Sequence, residues 1–138
     1  MRLLIASLIA FVLSVIPLAA QEVQPPDREI EAVISNQLAA FTEDDVDTAF
    51  SFAAPTIQDL FGTPQNFGLM VERGYPMIWR PDDVRFGDLI ERDGGLYQRV
   101  MIRDGKGASH TVEYEMLDMG GQWRIGGVQI LPQVGVAA

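Results

Sequence analysis

The chain has 138 residues, carries 19 Asp+Glu against 10 Lys+Arg for a net charge of −9, and contains no cysteine. That length suits a single domain able to bury roughly two-thirds of its surface. The acid excess repels phosphate backbones and anionic membranes, which argues against nucleic-acid partners, and without thiols there are no disulfides, thiol redox reactions or lipobox anchor.

Residues 1–20 are laid out as a secretory signal peptide. Arg2 precedes an apolar run from Leu3 to Ile16, Pro17 ends it, and Leu18-Ala19-Ala20 supplies small residues before polar Gln21. A transmembrane anchor needs about 20 apolar residues, more than this run provides. Cleavage near Ala20 is expected, giving a periplasmic or secreted protein with no stable membrane insertion afterwards. Loss of Arg2 takes the net charge from −9 to −10, which serves solubility.

Residues 21–26 read as a disordered lead ended by Pro25-Pro26, residues 27–132 as one α+β domain, and residues 133–138 as a tail. Asp27 is the N-cap of a predicted helix over 28–41, with Ile30, Val33, Ile34, Leu38 and Phe41 at helical spacing and Gln37 largely off that stripe. Thr42-Glu43-Asp44-Asp45 has capping-box spacing and predicts a second helix to about Ala53. Pro55 opens a third turn that Gly62 ends, and Thr63-Pro64 opens a further helix that stops at Gly74.

From Tyr75 the texture turns to β. Met77 to Arg80 reads as a short extended piece between prolines. Strands are predicted over Val84–Arg92, Leu96–Arg103, Ala108–Asp118 and Gln122–Leu131, joined by Asp93-Gly94-Gly95, Asp104-Gly105-Lys106-Gly107 and Met119-Gly120-Gly121. Alternation puts Leu96, Gln98, Val100 and Ile102 on one face with His110, Val112, Tyr114 and Met116, and Arg99, Arg103, Glu113 and Glu115 on the other. The phase slips at Gly126-Gly127, which predicts a bulge. Helices first and a meander second define an α+β fold, N-terminal helices packed on a curved antiparallel sheet.

This element order resembles the nuclear-transport-factor-2-like (cystatin-like) superfamily. The resemblance implies a bent sheet wrapped around the first helix, a cone with a pocket. Phe61-Gly-Thr-Pro-Gln-Asn-Phe-Gly68, Arg73-Gly-Tyr-Pro-Met-Ile-Trp-Arg-Pro81 and Trp123-Arg-Ile-Gly-Gly-Val-Gln129 resemble a bacterial family catalogued as domain of unknown function 4864. That resemblance covers about residues 28–131 and carries no assigned catalytic residue.

Two constellations are candidate ligand sites. Asp88 falls inward if Val84 and Phe86 do. With Gln98, His110 and Tyr114 it would set a carboxylate and an imidazole in an apolar pocket, where burial raises the carboxyl pKa toward neutrality. The simpler alternative is an edge aspartate and a satisfied strand-end histidine. Tyr75, Trp79, Arg73 and Arg80 form an aromatic–basic cluster suited to a pocket rim holding a carboxylate, or else a proline-framed link whose Trp79 plugs the core.

Other chemistries fail on spacing. A calcium loop from Asp45 would put Ala49 and Phe50 where an oxygen ligand and glycine belong. One histidine without cysteine builds no all-protein zinc site. Gly107-Ala-Ser-His-Thr111 lacks the second glycine of a nucleophile elbow, and no phosphate loop or dinucleotide fingerprint is present. No cofactor, metal or catalytic residue is assigned. The leading expectation is non-catalytic binding of a small apolar or amphipathic molecule or an envelope protein. The alternatives are a module that homodimerises through the outer sheet face and an isomerase- or dehydratase-like enzyme using Asp88 and His110.

Overall fold

A computed structural model describes residues 21–132; the expected leader and cleavage site and the expected tail at 133–138 lie outside the described residues. The chain forms β1 (Glu22–Gln24), α1 (Arg28–Thr42), α2 (Val46–Ser51), α3 (Pro55–Phe61), α4 (Pro64–Gly74) and α5 (Pro76–Trp79). Then come β2 (Asp83–Arg92), β3 (Gly95–Arg103), β4 (Ser109–Asp118) and β5 (Trp123–Leu131). Helices packed on a five-stranded antiparallel sheet of order β1-β2-β3-β4-β5 make this an α+β fold.

Local chemistry explains most boundaries. Asp27 caps α1 by accepting from the N–H groups of Glu29 and Ile30. Asp45 caps α2 through the N–H of Thr48, and hydrogen bonding from the Thr48 side chain, then from that N–H, holds its carboxyl below the usual range. The expected capping role of Thr42 is thus displaced by three residues. Thr42 ends α1 instead, and its hydroxyl donates to Leu38. Thr63 caps α4 ahead of Pro64.

Two segments differ from the expectation. Residues 22–24, read as part of a disordered lead, form an edge strand in which Val23 pairs with Ile90. Met77–Arg80, read as extended, contains a short helix. Pro76 fixes its first φ, and Ile78 and Trp79 donate back to the Tyr75 carbonyl at 2.9 and 3.0 Å.

The core forms where α1 lies on the inner sheet face. Ile30, Ile34, Leu38 and Phe41 bury against a cluster that includes Val100, Ile102, Val112 and Ile125. The strand alternation is as expected, and so is the slip in β5. Glu115 pairs with Gly127 and Met116 with Ile125, leaving Gly126 as the extra residue. A Cβ there would lie 2.6 Å from Cδ1 of Leu117, so a larger residue would have to push that side chain aside.

A second bulge has functional consequences. In β2, Phe86 pairs with Val100 but Leu89 with Gln98, so Gly87 and Asp88 together oppose Arg99. The side chain of Gln98, 1% exposed, donates to the carbonyls of Gly87 (3.0 Å) and Arg99 (2.9 Å) and pins this kink. Leu89 takes the inward position and Asp88 is exposed.

Candidate ligand cavity

The α2–α3 link runs beside β5. Ala54 donates to the Ile125 carbonyl at 2.8 Å, and Ile125 donates to Phe52 at 2.9 Å. This fixes Ala53 at the junction of helices and sheet. Between that junction, α1, α3 and α4 lies a cavity of about 270 Å³. Its walls include Phe41 of α1, Ile57 of α3, Phe67 and Val71 of α4, and Ile125 and Val128 of β5. Leu60, 73% exposed, also lines it and marks the opening to solvent.

The aromatic walls brace one another. Phe67 sits 5.8 Å from Phe41, 5.4 Å from Phe50 and 5.8 Å from Phe61, ring centre to ring centre and tilted. Such tilted contacts favour fixed ring orientations. Among the described residues no Asp, Glu, Lys, Arg or His side chain lines the cavity. Its polar contributors are Tyr75 and Gln37, the latter 3% exposed. Gln37 donates through Nε2 to the Ala49 carbonyl at 3.1 Å, tying α1 to α2. The helical stripe had left Gln37 outside the core, and its burial is a correction.

The six candidate residues are dispersed. Tyr75 is on the cavity wall. Trp79 packs its ring 5.6 Å from Phe41, outside the lining. Arg80 stacks 4.8 Å above Trp79 and donates to the carbonyl of Phe41 and the carboxylate of Asp44. The cluster thus closes the end of α1, with a guanidinium meeting a surface acid, and sets no cation in the cavity.

Asp88 and His110 do not meet. His110 pairs with Ile102, which pairs with Val84, whereas Asp88 stands at the bulge next to Leu89. They are two strands apart and about 13 Å apart along the strand direction. Asp88 also faces solvent, against the expectation that it points inward, because the Gly87 bulge shifts the phase. His110 places Nε2 2.8 Å from Asp104 Oδ2. The His110 hydrogen bond, then the backbone N–H of Ala108, hold the Asp104 carboxyl below its ordinary value. This pair braces the β3–β4 turn, and His110 borders a surface depression with Arg85 and Met101, apart from the apolar cavity.

Tyr114 is fully buried beside Gln98 and Val128, and its hydroxyl has no hydrogen-bond partner among the described residues. Burial pushes its phenol pKa up, so the group stays neutral. Tyr114 does not line the cavity. Among the described residues no three histidine or acidic side chains converge as a metal site, and no helix is long and apolar enough to cross a membrane.

The fold and this cavity define a small α+β domain with an apolar cavity open to solvent on one side. A family model described as domain of unknown function (DUF4864) matches residues 23–138, and the chain belongs to that family. No curated protein and no solved structure matches it.

Proposed function

We propose that this protein is an exported, non-catalytic binding domain that holds a small apolar or amphipathic molecule between α1, α3, α4 and β5. The observation that carries this reading is the 270 Å³ cavity, walled by aliphatic and aromatic side chains without an acid or base. Ligand sites are typically concave and mostly apolar with a few polar groups, and this chamber has that character. An apolar cavity of about 150 Å³ accommodates benzene, so this one has room for about a naphthalene-sized ring system.

General acid–base catalysis needs a titratable group within reach of the substrate. The lining supplies none beyond the Tyr75 phenol, which disfavours an isomerase or dehydratase. Dimerisation through the outer sheet face draws less support. Arg99 is engaged with Glu113, and Arg85 and Arg103 with Asp83, within the same sheet. The superfamily likeness of a bent sheet enclosing a pocket fits the binding reading. Export rests on the leader pattern of residues 1–20, with the family match starting at residue 23.

Titration with naphthalene tests the cavity. Saturable binding by calorimetry should accompany a rise in melting temperature, equivalent to about 2.7 kcal/mol at a hundredfold excess over Kd. Met70→Trp, which adds bulk at the cavity wall, should abolish both. Absence of saturable binding to the native chain would overturn the reading. For export, the protein recovered from the envelope or medium should begin near Gln21.

A further inference from the structure

Resting on the cavity reading, we infer that the natural ligand is an apolar molecule carrying one uncharged hydrogen-bond donor, a hydroxyl or N–H, which it gives to Oε1 of Gln37. Gln37 lines the cavity and is 3% exposed. Its one hydrogen bond within the protein uses the other end of the amide, Nε2 to the Ala49 carbonyl at 3.1 Å. That carbonyl accepts only, so it fixes the orientation of the amide: NH₂ toward Ala49 and oxygen away from it.

Oε1 is left with two lone pairs and no donor from the protein. Among the described residues the Tyr114 hydroxyl alone is both buried and unpartnered, so Oε1 keeps some contact with solvent; an occupant that fills the cavity displaces water from it and must donate in that water's place. The rest of the lining defines what else the occupant carries. Phe41, Phe67, Val71, Ile125 and Val128 contact only apolar surface favourably. An ionised carboxylate, phosphate or ammonium would sit there without a counter-charge. The ligand class is therefore an alcohol, a phenol or a neutral amide on a compact apolar body, rather than a fatty acid anion. The second N–H of Gln37 would instead suit an occupant that only accepts, so the two chemistries must be compared directly.

The test uses three matched probes on the native chain, with binding followed by calorimetry. Naphthalene measures the cavity alone, 2-naphthol adds a donor, and 2-methoxynaphthalene keeps the oxygen but only accepts. 2-Naphthol should bind at least about threefold more tightly than 2-methoxynaphthalene. Without an acceptor waiting, its better-hydrated hydroxyl would bind more weakly. Ionised 2-naphthoate, added as a charged control beside the three probes, should bind less tightly than naphthalene, and tighter binding would overturn the uncharged class.

In Gln37→Met the preference for 2-naphthol over 2-methoxynaphthalene should disappear, whatever the change in naphthalene affinity. Naphthalene binding with no preference for 2-naphthol overturns the donor assignment and leaves the cavity reading standing. A preference that survives in Gln37→Met overturns the role of Gln37. Failure of all three probes overturns the cavity reading and this inference with it. The ranking on the native chain decides the donor question even where the variant does not fold.

Discussion

Nη2 of Arg92 lies 2.6 Å from Oε1 of Glu113, a carboxylate 2% exposed although it sits on the outer, polar face of the sheet. Nε of Arg99 reaches the other oxygen at 3.2 Å, and the Arg92 guanidinium stacks 4.2 Å above Tyr97. The outer face thus carries a small roofed ion cluster rather than a wet row of separate charges.

This cluster predicts an acid-sensitive contribution to stability. Burial pushes the Glu113 carboxyl up, but hydrogen bonds from Arg92 and Arg99 outweigh it and hold the group below its ordinary value. A depressed carboxyl stabilises the fold above its unfolded pKa, about 4.3, and that stabilisation is lost as pH falls through the folded value. Glu113→Gln should melt below the native chain at pH 7, with the gap closing as pH drops below about 4. A gap constant across that range would show that the ion cluster does not act through its charge.

Tyr114→Phe should leave stability unchanged or raise it by about 1 kcal/mol, the reverse of most buried Tyr→Phe changes. The reason is the unpartnered hydroxyl of a side chain with no exposed surface. Urea denaturation measures the change. A loss above about 1 kcal/mol would mean that the hydroxyl is satisfied in solution.

Much of the fold was legible because caps, turn glycines and strand alternation are local signals. The β5 slip could be read from Ile125 and Val128 falling out of phase around Gly126-Gly127. The Gly87–Asp88 bulge could not, since one glycine in a strand leaves the phase open, and the inward placement of Asp88 failed there. Met77-Ile78-Trp79 looked like strand because bulky apolar residues favour extended chain, and a four-residue helix offers no periodicity to oppose that. β1 has no apolar alternation; it is an edge strand held by backbone pairing to β2.

The site was less legible still. Gln37 is polar on a helix, so periodicity assigns it to solvent, and only the approach of α2 buries it. Alternation gives the face of Glu113 but not its burial, which depends on arginines from neighbouring positions folding over it.

Arg80→Ala should cost about 1 kcal/mol, and Arg80→Lys should recover less than half of it. The ion pair with Asp44 is exposed on both sides, 44% and 70%, and contributes little. The larger share comes from the guanidinium stacked on Trp79 while it donates to the Phe41 and Trp79 carbonyls. An ammonium lacks the flat surface and fork for both tasks. Thermal melts of the two variants check the order, and equal stability of Arg80→Lys and the native chain would point to charge alone.

Gly68→Ala is the sharpest test of how the helices pack. In an isolated helix this change would stabilise by about 0.5–1 kcal/mol. Here the added Cβ would stand 2.5 Å from Cγ1 and 3.2 Å from Cβ of Val46, so α2 and α4 would have to part. Val46 is β-branched with few alternative rotamers, and Gly68 is buried, so the clash is not relieved cheaply. A loss of about 1–3 kcal/mol is expected. Val46→Ala alone should also destabilise, through lost packing. Combined, the two changes should lose less than the sum of their separate effects by about 1 kcal/mol or more, because the smaller residue vacates the space the new methyl needs. Additive losses would mean that the helices already separate enough in solution to admit the methyl group, and that the α2–α4 contact is looser than its geometry.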